Sequence, residues 1–208
     1  MRGVLVTVEG VEGSGKTTQC VRLAEHLRRN QRQVVQTSEP DGTPLGIAIR
    51  SLFEHEGSPP TSLTQTFLFM AARQQHVADI IRPALAQGAV VLSDRYTDAT
   101  VAYQGYGLGM DLQTIRDLNA LATGGVLPDL TLVLDIEPAA GMRRIGGRRL
   151  DAFERMDLAF HQRVREGYLE MARAEKNRVV VLRADQAPDA LSAEIARTVD
   201  ERLERLDR

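Results

Sequence analysis

Short apolar runs rich in β-branched residues alternate along the chain with longer stretches of helical periodicity. Val4 to Val8, Ala89 to Ser93 and Leu130 to Asp135 read as buried strands, and Gln33 to Ser38 and Arg178 to Leu182 as further strands. Between them, Lys16 to about Arg29, Pro44 to Glu54, Thr61 to Gln87, Leu112 to Thr123, Glu154 to Glu175 and Asp189 to Leu206 carry helical patterns. The long third helix is predicted to bend near Pro83, which has no N–H to donate, and its apolar seam (Leu63, Phe67, Met70, Val77, Ile81, Ala84) is predicted to face the core. Gly57 to Pro60 reads as a loop. Strands alternating with helices predict an α/β architecture, a parallel sheet covered on both faces, in one domain over residues 1–208. Ligands of such sheets gather at the carboxyl ends of the strands, where Glu9-Gly10, Ser38-Glu39, Ser93-Asp94-Arg95 and Asp135 fall.

The first strand breaks into Gly10-Val-Glu12-Gly13-Ser14-Gly15-Lys16-Thr17-Thr18, which fits G-x-x-x-x-G-K-[ST] at every fixed position. Glycines let successive N–H groups turn inward on an anion, and the following helix points its free N–H groups and positive dipole end at the same place. Lys16 can then reach β- and γ-phosphates, and the Thr17 hydroxyl can hold a magnesium ion. With a strand before and a helix after, this is a cradle for a nucleoside triphosphate.

Composition narrows the partners. A formal charge of −2 gives no general attraction for a nucleic-acid polymer. No apolar run reaches the ~20 residues that span a bilayer, and the N-terminus has no long apolar leader segment. Cys20 is the only cysteine and sits at core-facing spacing with Leu23, Ala24 and Leu27, so no internal disulfide forms and a reducing cytoplasm is the expected location.

A second group of residues suggests an acceptor. Phe69 and Arg73, four apart, share a helix face about 100° from the apolar seam; they could stack and hydrogen-bond a planar base, or be a half-buried ring under a solvated arginine. Asp94 at a strand end can serve magnesium, and Arg95 can grip phosphoryl oxygens or form a simple ion pair. Thr100, Tyr103 and Gln104 place hydroxyl, phenol and amide groups close together, either for sugar and base or as a polar turn. Arg143, Arg144, Arg148 and Arg149 surround Gly146-Gly147, as in a mobile lid over a transferring phosphoryl group. A nucleotide-driven switch and a kinase for another nucleoside monophosphate share the cradle, but the switch leaves Phe69-Arg73 and Tyr103-Gln104 without a role.

Taken in order, GVEGSGKTTQ, EPDGTPLGIAIR, FMAAR, SDRY with TVAYQG, PDLTLVLDIEP and RRLDAFE resemble thymidylate kinase, in its bacterial form with an arginine-rich lid. The resemblance implies a P-loop kinase fold with a five-stranded parallel sheet and a short lid at about 142–153, a homodimer, and magnesium-dependent phosphate transfer from ATP to dTMP. It implies that Phe69 stacks on thymine, that Arg73, Gln104 and Thr100 contact the base, and that Tyr103 packs on the deoxyribose. Arg50 and Arg95 would hold the acceptor phosphate near Glu39, and Glu12 would reach the 3′-hydroxyl. Asp94 and Thr17 would serve magnesium, while Lys16 and a lid arginine, Arg149 more than Arg148, would stabilise the transition state. The loop Ala184-Asp185-Gln186 is a candidate for the adenine side.

Two positions depart from the family pattern. Asp41 stands where the family usually has glycine, so a positive φ is one expectation there. Ala152 stands where the family has a lid arginine, and Arg155 could replace it from the same side of the helix.

Overall fold

Five short apolar segments form one parallel sheet: β1 (Val4–Glu9), β2 (Val34–Ser38), β3 (Val90–Asp94), β4 (Leu130–Asp135) and β5 (Val179–Arg183), in the order β2-β3-β1-β4-β5. The structure is a computed structural model that describes residues 2–54, 60–146 and 150–207. Gly57 to Pro59 of the expected loop, and the lid residues Gly147, Arg148 and Arg149, lie outside them. Every residue of the central strand β1 is buried, which is why its sequence reads as a continuous apolar run rather than an alternation.

The helices are α1 (Lys16–Arg29), α2 (Pro44–Glu54), α3 (Ser62–His76), α4 (Arg82–Ala86), α5 (Thr97–Thr100), α6 (Leu112–Thr123), α7 (Pro138–Arg144), α8 (Leu158–Ala174) and α9 (Pro188–Leu206). Val4, Val6 and Val8 of β1 pack in one cluster with Leu23 and Leu27 of α1, whereas Leu5 packs in another with Val77, Ile81, Ala84 and Val91. The alternation of β1 side chains thus builds both faces of the sheet.

Four expectations need correction. The helix expected over 61–87 contains a π-helical turn, Val77–Ile81, where the Arg82 N–H reaches back to the Val77 carbonyl. This wide turn falls just before Pro83, where a bend was expected. The expected seam is buried only from Met70 onward; Leu63 and Phe67 are 49% and 53% exposed. Polar side chains (Thr66, Arg73 and His76) take the inner face of α3 instead, each with a partner inside the protein: Met110, Asn119 and Thr37 respectively. The polar-turn alternative for Thr100–Gly105 is not found: the segment is helical, α5 running into a second π-helical stretch, Val101–Gly107. α8 starts later than expected, at its Asp157 cap, whose carboxylate accepts the Phe160 N–H at 2.7 Å. Among the described residues no helix is long and apolar enough to cross a membrane.

Candidate active site

Topology brings the loops after β1, β2 and β3 side by side, because β1 and β2 both pair with β3 in a register that levels Val8 and Ser38 with Asp94. Between these loops and α3 opens a cleft of about 520 Å³. Glu12, Gly13, Gly15, Lys16, Thr17 and Thr18 line one end, while Gly10 and Ser14 lie buried beneath it. Gly10 and Gly13 have φ of +139° and +71°. A Cβ on Gly13 would stand 2.0 Å from the Gly141 carbonyl, so α7 presses on the loop at a point only glycine permits. Lys16 Nζ donates to the Gly10 and Val11 carbonyls, 3.0 Å each, and burial lowers its pKa. The Thr17 hydroxyl donates to Asp94 Oδ2 at 2.6 Å. Two hard oxygens this close, facing a phosphate cradle, suit magnesium, which takes one or two protein ligands and fills the rest of its octahedron with water and phosphate.

Arg95 sits at mid-cleft with a left-handed φ of 71°, uncommon for a residue with a side chain. The surroundings over-determine it. Its N–H bonds the Val8 carbonyl, the Ser93 hydroxyl donates to its carbonyl, and the next N–H, of Tyr96, bonds Glu9. The guanidinium donates to Glu12 Oε1 at 2.5 Å and to the Tyr103 hydroxyl at 3.2 Å, lying 4.8 Å over that ring. Burial works to raise the Glu12 pKa, but the charges of Arg95 and Lys16 and the Tyr103 hydroxyl outweigh it and pull it down to about 2. Such local strain held in place is typical of functional positions. The positive φ considered for Asp41 is not found; among described residues with side chains only Gln31 and Arg95 adopt it.

At the far end Phe69 stacks on Phe53 at 5.0 Å, with Phe153 tilted 5.9 Å from Phe69 and edge-on to Tyr103. Gln104 and Thr100 line the same end, and the Gln104 amide nitrogen is buried with no partner among the described residues. Arg73 is not a solvated arginine. It is 3% exposed, donates hydrogen bonds to Glu39, the Thr100 hydroxyl, Asn119 Oδ1 and the Tyr96 carbonyl, and makes a second ion-pair contact with Glu39 at 2.7 Å. Burial tends to raise the Glu39 pKa, yet Arg73 and His76 hold it below the ordinary value. Arg50 reaches the cleft from α2 and donates to Asp41 at 3.3 Å.

Some expected residues lie elsewhere. Asp135 is taken by Arg165, at 2.7 and 3.0 Å, and does not line the cleft. Arg155 is exposed and donates to the Leu150 carbonyl, so the structure does not bring it to the cleft. Ala152 packs against the Ile49-Phe53-Ala72 cluster, which a charged side chain would disrupt. Arg144 donates to the Gly13 carbonyl at 3.4 Å and the Ala184 carbonyl at 3.0 Å, tying α7 to the cradle. Sequence reasoning missed Phe53, Asp151 and Phe153 as lining residues; a second aromatic position flanking Phe69 was the one available signal.

Glu9, expected at a strand end where ligands gather, does not line the cleft. It is fully buried, accepts from the Tyr96 N–H at 2.7 Å and the Tyr168 hydroxyl at 2.8 Å, and burial together with nearby Asp98 raises its pKa from 4.5 to about 8. The folded state therefore keeps a proton that the unfolded chain has released, so this group's contribution to stability is full below about pH 4.5 and is lost as pH rises to about 8. Glu9→Gln cannot ionise, yet its amide can meet both partners. Urea unfolding of the variant is expected to gain on the parent by a few kcal/mol between about pH 5 and pH 8; a constant difference over that range would contradict the assignment.

The comparisons agree with this geometry. The family described as "Thymidylate kinase" matches residues 8–195. The chain is 48% identical over 198 residues to the thymidylate kinase of Solidesulfovibrio magneticus, covering 91% of this chain and 95% of the relative. It is 45% identical over 202 residues to that of Deinococcus radiodurans, covering 97% and 98%. The crystal structure of thymidylate kinase from Ehrlichia chaffeensis superposes with a TM-score of 0.80 at 32% identity, over 96% of this chain and all of that one. A cradle for phosphates, a strained arginine and an aromatic pocket in one cleft, on a chain this similar throughout, leave one assignment: the protein belongs to the thymidylate kinase family.

Proposed function

We propose that this chain, as one P-loop nucleoside-monophosphate kinase domain, transfers the γ-phosphate of ATP to dTMP, giving ADP and dTDP, with the residues of this cleft in the following roles. The observation that carries the reading is the position of Arg95 and Glu12 between a phosphate cradle and an aromatic pocket. The backbone N–H groups from Gly10 to Thr18 and Lys16 take the donor phosphates. Thr17 and Asp94 hold magnesium, which neutralises and orients phosphate oxygens when bound.

On the acceptor side, Phe69 offers its ring to thymine and Gln104 and Thr100 face the base edge. Arg73 shares Nη1 between Thr100 and Asn119, so a contact to the base exchanges one of these bonds. Tyr103 backs the deoxyribose, Glu12 reaches the 3′-hydroxyl, and Arg50 and Arg95 hold the acceptor phosphate near Glu39. An oxygen of that phosphate forms the new bond to the γ-phosphorus as the bridge to the β-phosphate breaks and ADP leaves. The attacking oxygen is already anionic, so catalysis comes from alignment and charge neutralisation, by Lys16, Arg95 and the lid arginines Arg148 and Arg149.

The exposed Ile47, Leu63, Phe67 and Leu121 lie on neighbouring helices α2, α3 and α6 and support a homodimer through that side. The single buried Cys20 supports a reducing cytoplasm.

Thymine differs from uracil by one methyl group, and a pocket extracts only about 1–3 kcal/mol from a methyl, or roughly 10–200-fold. dUMP is therefore expected to be a poor but measurable acceptor, read as ADP release with ATP and magnesium. Equal use of dUMP and dTMP, or complete rejection of dUMP, would overturn the pocket assignment.

A further inference from the structure

The arginines that face the acceptor end of the cleft are each met by a carboxylate: Arg73 by Glu39, Arg95 by Glu12, and Arg50 by Asp41. The first two pairs are buried and tied into larger networks. Arg73 and Glu39 are held by His76, Thr100 and Asn119, and Glu12 by the Tyr103 hydroxyl. The third differs. Its donor–acceptor distance is 3.3 Å, and the side chains are 43% and 36% exposed, so solvent screens it and it exchanges readily. Both members line the cleft.

We infer that Asp41 is a specificity-determining residue that acts as the exchangeable counter-ion of Arg50: it occupies the guanidinium until an acceptor's phosphate displaces it, and so sets how tightly a phosphorylated acceptor binds. The inference rests on the proposed role of Arg50 as a holder of the acceptor phosphate. An arginine fork binds one oxyanion at a time along a given edge, so the incoming phosphate competes with the Asp41 carboxylate. Once bound, a dianion also stands close to the displaced carboxylate and is repelled by it. Both effects weaken binding of a charged acceptor and leave a neutral nucleoside untouched. Asp41 thereby holds down retention of the phosphorylated acceptor without touching the base pocket, which is built from α3 and the helical segment after β3.

The test is calorimetric binding of dTMP and of thymidine to the parent chain, to Asp41→Asn, to Arg50→Ala and to the double variant. Asp41→Gly serves as a second probe, and thermal melting confirms each fold. Asp41→Asn and Asp41→Gly are expected to bind dTMP about three- to tenfold tighter, thymidine unchanged. The gain is expected to shrink in the Arg50→Ala background. dTMP binding that is unchanged or weaker in both Asp41 variants, while Arg50→Ala weakens it, would overturn the counter-ion role and leave the acceptor site standing. An Arg50→Ala chain that binds dTMP as the parent does would instead remove the phosphate role of Arg50, and the inference with it. Tightening of thymidine to the same degree as dTMP would also overturn the inference, because no phosphate is then being released from competition.

Discussion

Lys16→Ala is expected to lower turnover about 10²–10³-fold at saturating ATP and dTMP while the protein stays folded. The side chain is 7% exposed, and its ammonium is aimed at the cradle by the Gly10 and Val11 carbonyls. Burial makes that charge costly, and the neighbouring Glu12 and Asp94 charges offset part of the cost. A charge kept in such a place acts where negative charge spreads during transfer, so its loss falls on turnover more than on binding. The check is turnover by coupled ADP release alongside a thermal melt. A drop below about tenfold with an unchanged melt would mean that Lys16 is not the main electrostatic partner of the donor phosphates.

The second large effect is on stability. Arg73→Met is expected to destabilise the fold by about 3–5 kcal/mol, because it leaves Glu39 buried without its counter-charge. The Glu39 side chain is 6% exposed, and Arg73 supplies two of its contacts. The remaining partner, His76 at 3.1 Å, is itself fully enclosed and shared with Thr37. The same substitution strands Asn119 Oδ1. Urea unfolding reads the loss. Adding Glu39→Gln to Arg73→Met is expected to recover part of it, since a neutral amide costs less to bury. If the double variant is no more stable than the single, the stranded charge is not the cause.

These two residues also mark how far the sequence could be read. Lys16 was legible because the cradle is a local device: glycine freedom, helix dipole and lysine reach all follow from nine consecutive positions. β1, β3 and β4 were legible for a similar reason, since a strand buried on both faces is an apolar run. Arg73 was harder. Its position on a helix face was visible, but its burial depends on Glu39, Asn119, and Thr100 with Tyr96, which come from three other parts of the chain. Spacing within one helix carries no record of such partners. Leu63 and Phe67 were misplaced by the same logic, because hydrophobicity assigned them to a face that polar side chains occupy. The π-helical segments escaped notice because periodicity does not distinguish a single wide turn from an ordinary one. Asp151 and Phe153 reach the cleft through a loop whose course no local pattern encodes.

The central claim is that one cleft joins a triphosphate cradle to a thymidylate pocket. The most direct measurement is ADP release with ATP and magnesium in the presence of dTMP, UMP, dCMP, AMP or thymidine. Strong stimulation by dTMP, with the other acceptors near background, is the expected result. Stimulation by another acceptor in place of dTMP would keep the transfer chemistry and contradict the pocket; no stimulation by any of them would contradict the kinase itself.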